Sequence, residues 1–148
     1  MPRIVRVAEV AWEGSIARGK GVATASSSGA FVLPISLPSR IGEPGGETSP
    51  EELLAAAHAG CFVTSLGGEI ARAGGTVIRL DVRCTVTMDE VEGKGHQVVS
   101  SVVDATAQAD GIDEDGLARA TEAADAGCSF SSLIRASASV SVSTRLAP

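Results

Sequence analysis

The segment Ser49-Pro50-Glu51-Glu52, followed by Leu53-Leu54-Ala55-Ala56-Ala57-His58-Ala59-Gly60-Cys61-Phe62-Val63, constrains the fold more than any other part of the chain. Ser49 suits a helix cap, and Pro50 suits the first helical position, where a missing N–H costs nothing. Glu51 and Glu52 favour the positive end of the helix dipole, with Glu52 spaced to complete a capping box. The pattern predicts a helix from Pro50 to about Ala73, stopped by Gly74-Gly75. Apart from His58 and a few small polar residues it is apolar almost all round, as expected of a buried central helix rather than a surface amphipath. Ahead of it, Pro34, Pro38, Pro44 and Pro50 with Gly42, Gly45 and Gly46 are expected to keep residues 34–50 free of regular structure. A connection that long inside a small domain is usually functional.

Around this helix the chain reads as β structure and one further long helix. Ile4, Val7, Val10 and Trp12 lead into the glycine-rich turn Glu13–Gly21, a second run starts at Val22, and a third covers Ala30 to Ile35, a pattern of successive hairpins. After the helix, Ile78, Leu80, Val82, Cys84, Val86 and Met88 alternate strictly with Arg79, Asp81, Arg83, Thr85, Thr87 and Asp89, the period of a half-buried strand. A turn at Gly93-Lys94-Gly95 returns the chain through Val99, Val103, Ala105 and Ala107. A second helix is expected from Asp113 to Ala126, closed by Gly127, then a short helical turn from Ser131 to Arg135. A last strand alternates Ala138, Val140, Val142 and Leu146 with serines. The order is βββ-α-ββ-α-β, an α+β fold with helices packed on antiparallel sheets. At 148 residues it is expected to be one domain, residues 1–148.

Charge and composition exclude some partners. A net charge of -6 lacks the basic surface that nucleic acid demands, and 3% aromatic residues with no Tyr leave no stacking platform for single strands. No apolar run is expected to approach the roughly 20 residues that span a bilayer, and the amino terminus has no apolar h-region before a cleavage site. The expectation is a cytoplasmic protein without a membrane partner. In that reducing compartment Cys61, Cys84 and Cys128 are buried hydrophobes, metal ligands or redox thiols.

The three thiols differ in setting. Cys84 stands in register on the apolar face of its strand and reads as a core residue. Cys61 lies in the middle of the predicted buried helix, whose start carries two carboxylates and whose preceding loop carries Arg40. Cys128 follows a helix-ending glycine and opens a new helical turn, where free N–H groups and the helix dipole stabilise a thiolate. Both remain open to ordinary packing as well. With no CxxC or HxxxH and only two histidines, no metal site is expected. From composition and spacing alone the chain is an α+β protein with two thiols of interest.

Three segments carry a resemblance. Thr48-Ser49-Pro50-Glu51-Glu52-Leu53-Leu54-Ala55-Ala56-Ala57-His58-Ala59-Gly60-Cys61-Phe62 resembles the first cysteine motif of the OsmC/Ohr proteins (osmotically inducible protein C and organic hydroperoxide resistance protein). Ala126-Gly127-Cys128-Ser129-Phe130-Ser131-Ser132-Leu133-Ile134 resembles the second. Trp12-Glu13-Gly14 with Arg18-Gly19-Lys20-Gly21 is similar to the amino-terminal hairpin of the OsmC branch. The likeness spans nearly the whole chain, with one departure: Ser129 stands where the family usually has proline after the second cysteine.

The resemblance implies an intertwined homodimer with buried central helices and two active sites at the subunit interface. It implies a hydroperoxide substrate, with Cys61 as the attacking thiol, Cys128 as its resolving partner and an external dithiol as reductant. It also implies an Arg–Glu pair, which maps best to Arg40 and Glu51 with Arg18 in reserve, and it requires no cofactor. A guanidinium beside Cys61 would favour the thiolate and hold the peroxide oxygens, and Glu51 would orient it. His58, one turn before Cys61, reads as a hydrogen-bonded structural residue more than a base. Two other readings of the same fold stand beside the peroxidase: a redox sensor or small-molecule binding module whose thiols react without turnover, and a structural dimer with both cysteines in the core.

Overall fold

Glycine at two positions and a proline at a third explain why the first part of the chain folds as it does. A computed structural model describes residues 1–148, which fall into two compact units, Met1–Leu53 and Leu54–Pro148. In the first, β1 (Glu9–Glu13), β2 (Lys20–Thr24) and β3 (Val32–Ile35) form an antiparallel sheet in the order β1-β2-β3. Trp12 lies directly opposite Gly21, and a Cβ on Gly21 would come within 2.8 Å of the indole ring. The indole N–H donates to the carbonyls of Gly14 and Ser15 at 3.1 and 3.3 Å, closing the turn. Gly19 is buried beneath that closure, and a Cβ there would sit 2.4 Å from the carbonyl oxygens of Glu13 and Ser15.

The proline-rich connection is more ordered than its composition suggests. Pro34 lies in β3, and a short helix, α1 (Leu37–Ile41), follows at once. Pro38 is tolerated because it occupies the first turn, where its missing N–H is not needed. Ser36 caps the helix, accepting from the Ser39 N–H at 3.3 Å. Glu47 is then held by Lys20 at 2.8 Å and by the Ser39 hydroxyl at 3.0 Å. The Lys20 bond, with help from Ser36 and Ser39, lowers its carboxyl to about 2.

The long helix, α2 (Pro50–Arg72), runs as the sequence predicts. Ser49 accepts from the Glu52 N–H at 3.1 Å, as a cap should. The reciprocal half of the capping box is not made, because the Glu52 carboxylate accepts instead from the Thr48 hydroxyl at 2.8 Å. At the other end Gly74 adopts φ +87°, and the Gly75 N–H donates to the Ile70 carbonyl at 2.9 Å. Within the chain only one stripe of α2 is fully buried, His58, Phe62, Leu66 and Ile70, at successive steps of four. The remaining faces are half-buried or exposed, unlike the all-round burial its composition suggests. By length and composition the helix is also long and apolar enough to cross a membrane, contrary to the expectation that no run reaches that size. Its buried stripe nevertheless packs into a protein core.

That core belongs to the second unit. β4 (Thr76–Val91), β5 (Gly95–Asp110) and β6 (Ser139–Leu146) form a sheet in that order. Val103, Ala105 and Ala107 of β5 meet Phe62, Leu66 and Ile70 of α2 and Leu117, Ala120 and Ala124 of α3 (Glu114–Gly127), with Leu80, Val82 and Cys84 packed alongside. Full burial of each large side chain stabilises by roughly 1.5–3 kcal/mol. β4 and β5 pair antiparallel through a glycine turn, but β5 and β6 pair parallel, so the second sheet is mixed and not wholly antiparallel. The cause is the connection: α3 and α4 (Ser129–Arg135) carry the chain back to the end of the sheet where β5 began, so β6 must run the same way. A register shift between Val77 and Arg79 also turns Ile78 off the apolar face that alternation assigns it, leaving it 57% exposed.

The Gly19→Ala variant is expected to lose roughly 1–3 kcal/mol of stability, because its methyl has no space between two backbone carbonyls and the indole. Denaturant titration followed by the fluorescence of Trp12, the only tryptophan, measures this. An unchanged midpoint would contradict the packing described for the turn.

Candidate functional site

Cys61 follows directly from the burial pattern of α2. It stands one residue before Phe62, so the helical turn sets its side chain beside the buried stripe and leaves it half-buried. Cys128 is fully buried. It ends α3, its N–H donating to the Asp125 carbonyl at 3.2 Å, and it begins α4 as the capping residue. A thiol takes the place of the usual Ser or Asp there: Cys128 Sγ accepts from the Ser131 N–H at 3.4 Å.

The first residues of α4 then reach the other thiol. Cys61 Sγ lies 3.9 Å from the Ser129 hydroxyl. Burial pushes the Cys61 thiol up, but the Phe130 N–H, the Cys128 thiol, and the hydroxyl and N–H of Ser129 outweigh it, so its pKa falls below the ordinary thiol value. Cys128 moves the other way. Burial raises it most, Ser131 opposes that, and the neighbouring Cys61 raises it further. Sequence reasoning placed the helix-end stabilisation on Cys128 itself. Cys128 is the cap, so the free amides beyond it point to its neighbour. The two thiols are thereby poised apart, one toward thiolate and the other toward protonated thiol.

Behind them lies His58, with two serine partners that the sequence did not foretell. His58 is fully buried, with Nδ1 2.6 Å from the Ser101 hydroxyl and Nε2 2.8 Å from the Ser131 hydroxyl. Burial, and secondarily Arg135, lower its pKa, while Asp125 acts against them. Cys84, half-buried on the inner face of β4, places Sγ 3.2 Å from the Ser101 hydroxyl. Burial pushes its thiol up, with Ser101 opposing. His58 and Cys84 thus take the structural roles the sequence suggests. Ser101 and Ser131 left no sequence signal, since serines fill β6 and the segment before it.

In the first unit Arg40 and Glu51 meet. Arg40 Nη2 donates to Glu51 Oε1 at 2.7 Å, and Nε donates to both carboxylate oxygens at 3.1 and 3.3 Å, a two-pronged ion pair. The Glu51 hydrogen bond raises the Arg40 pKa. Burial raises Glu51, but Arg40 more than compensates and its carboxyl lies below the ordinary value. Arg40 also lines a small, largely apolar cavity of about 160 Å³ with Trp12, Ile16, Ile35, Leu37 and Pro50. The Arg18 side chain has no ion-pair partner; only its backbone is tied, N–H to Ser15 Oγ at 3.2 Å. No group of three or more His, Cys, Asp or Glu side chains is placed to hold a metal ion.

Ser129 is the residue whose role the sequence left most open, and the geometry makes it testable. Proline in its place would remove both the N–H and the hydroxyl that face Cys61. The Ser129→Pro variant is therefore expected to raise the Cys61 pKa, and Ser129→Ala, which keeps the N–H, to raise it less. The pH dependence of iodoacetamide alkylation at Cys61 reports both. An unchanged value in Ser129→Pro would remove Ser129 from the causes.

Comparison with known proteins agrees on one grouping. The family model described as OsmC-like protein matches residues 42–143. The chain is 34% identical over 126 residues to the protein named Peroxiredoxin OsmC of Escherichia coli (strain K12), covering 84% of this chain and 86% of that one. The crystal structure of an organic hydroperoxide resistance protein OsmC from Legionella pneumophila superposes with a TM-score of 0.78 at 21% identity, over 97% of this chain and 98% of that one. The organic hydroperoxide resistance protein OhrB of Bacillus subtilis gives 0.70 at 22%, over 95% and 98%. At these identities the structural likeness is one of fold.

Proposed function

The chain belongs to the OsmC-like protein family, and from that membership we propose that it is a cysteine-based peroxidase that reduces organic hydroperoxides. The observation that carries the proposal is the pair Cys61 and Cys128, neighbouring thiols whose pKa values are driven in opposite directions. A nucleophile must be thiolate, and a partner that stays protonated until needed does not compete for the peroxide.

In the proposed reaction the Cys61 thiolate attacks the terminal oxygen of the hydroperoxide. The O–O bond breaks, the alcohol leaves with a proton, and Cys61 becomes sulfenic acid. Cys128 sulfur then attacks Cys61 sulfur, the S–O bond breaks, water leaves, and a disulfide remains. An external dithiol reduces it by exchange. Arg40, oriented by Glu51, binds the peroxide oxygens and the charge that develops on them, with Arg18 as the reserve candidate. The apolar lining beside Arg40 favours an alkyl or aryl hydroperoxide over hydrogen peroxide. No step draws on a metal or organic cofactor. The reducing step suits the cytoplasm, where dithiol reductants are maintained. Residues 1–148 act as one functional domain, and two copies form an intertwined dimer. Support for the dimer comes from the partly uncovered α2 and from exposed Val5, Val7, Val10, Val22 and Val32.

The test is turnover of cumene hydroperoxide and tert-butyl hydroperoxide with dithiothreitol. Wild type is expected to turn over, Cys61→Ser to be inactive, and peptide mapping after one equivalent to find Cys61 joined to Cys128 with Cys84 free. A bridge through Cys84 would refute the assignment, and thiol loss without turnover would indicate a sensor. Arg40→Lys keeps the charge but loses the planar fork, so its rate is expected to fall on the order of tenfold or more. If Arg40→Ala is silent and Arg18→Ala is damaging, the arginine is Arg18. Light scattering at micromolar concentration is expected to give a dimer, and a monomer would contradict the proposed assembly.

A further inference from the structure

His58 has a fully buried imidazole bonded at both nitrogens, and the reaction above does not use it. Its Nε2 partner, Ser131, is the residue whose N–H donates to Cys128 Sγ at 3.4 Å, so one residue touches the buried sulfur through its backbone and the imidazole through its hydroxyl. One set of proton positions satisfies every group in the chain. The Ser131 hydroxyl donates to His58 Nε2, His58 Nδ1–H donates to Ser101 Oγ, and the Ser101 hydroxyl donates to Cys84 Sγ, which leaves Ser131 Oγ free to accept the Cys128 proton. We propose that His58 is a positioning residue for disulfide formation, taking up the Cys128 proton through the Ser131 hydroxyl as the Cys61–Cys128 bond forms.

The need for such a device follows from the setting of Cys128. It is fully buried beside a lowered thiol, so it resists ionising unaided, yet only its thiolate attacks sulfenic sulfur efficiently. A neutral imidazole bonded to Ser131 accepts the proton without bringing a charge to the sulfur beforehand, and burial disfavours its charged form. As the Cys128 proton passes to Ser131, the Ser131 proton passes to Nε2. The Cys128 sulfur supplies the electron pair to Cys61 and is oxidised; the sulfenic sulfur is reduced and its S–O bond breaks. The leaving hydroxide takes a proton from solvent to give water, and the imidazolium holds the Cys128 proton until the dithiol reduces the disulfide and Cys128 leaves as thiolate, when the reverse route returns it. The charged and titratable groups around the imidazole are Asp125 on α3, Arg135 on α4, Cys84 on β4, and Cys61 and Cys128. Asp125 and Arg135 are bonded to each other at 2.8 Å, so the imidazolium would form beside a paired carboxylate. β5 contributes only the uncharged Ser101.

The inference rests on the peroxidase reading, and the experiment separates the two. His58→Gln and Ser131→Ala are each given one equivalent of tert-butyl hydroperoxide. Sulfenic acid on Cys61 is trapped with dimedone, and the disulfide is counted by mass spectrometry across a range of pH. In both variants the rate of disulfide formation relative to sulfenic acid formation is expected to fall on the order of tenfold at neutral pH. The deficit is expected to vanish at alkaline pH, where solvent ionises Cys128 directly. A purely structural role predicts a deficit that alkali does not rescue, and that result overturns the proposal. So does a Ser131→Ala ratio within about twofold of wild type at neutral pH, a criterion set well below the effect expected of proton transfer. If His58→Gln fails to fold, the smaller Ser131→Ala change decides alone. Diamide, which drives the same Cys61–Cys128 closure without peroxide, provides the independent arm. No sulfenic acid in wild type refutes the peroxidase, and the pH-rescued deficit with diamide then upholds or overturns the relay by itself.

Discussion

The junction Gly127-Cys128-Ser129 is the constraint on which the site depends. There one helix ends and another begins without an intervening loop, so a single residue must serve as the end of α3 and the cap of α4. A cysteine in that position is buried by the core it closes and bonded by the helix it starts. Its capping removes one free amide, and those of Ser129 and Phe130 are left to serve a neighbour. The neighbour is Cys61, which the four-residue rhythm of α2 holds beside the buried stripe. Packing and hydrogen bonding thus create the difference between the two thiols, with the charge of Cys61 adding to it at Cys128 and no arginine or lysine among the causes.

This changes the division of labour in the proposed chemistry. Amide and hydroxyl donors already lower the Cys61 pKa, with no guanidinium among the causes. A shift of one pKa unit corresponds to about 1.4 kcal/mol, within reach of one or two such bonds. In the proposed reaction the Arg40–Glu51 pair is assigned to the peroxide oxygens, where fixed donors matter most as charge develops at the breaking O–O bond. Ser129 supports this division: a proline there would take away an amide donor and shift the burden of thiolate formation back toward the arginine.

Much of this was legible in the sequence. Ser49-Pro50-Glu51-Glu52 marked the start of α2, Gly74 its end, and strict alternation marked β4. The Arg40–Glu51 contact, implied by family resemblance, is made. What could not be read was whatever depends on two distant segments meeting. Pro38 looked like a helix breaker until the cap at Ser36 placed it in a first turn. The parallel pairing of β6 follows from the path of α3 and α4 across the sheet, a fact about the connection rather than about any strand. The free amides after Gly127 were visible as a helix start, but their target was not, because that requires knowing that α4 points at the middle of α2. His58 could be read as structural, whereas its two serine partners lie 43 and 73 residues away.

The opposed poise of the two thiols is measured most directly by ultraviolet thiolate absorbance in a Cys84→Ser protein titrated through the alkaline range. Two separate inflections are expected, one below the value of about 8.5 for a free cysteine and one above it. The lower one should disappear when Cys61 is also replaced by serine. A single inflection at or above the free-cysteine value, or a lower inflection that survives the loss of Cys61, would contradict the assignment of Cys61 as the thiol that the α4 amides activate.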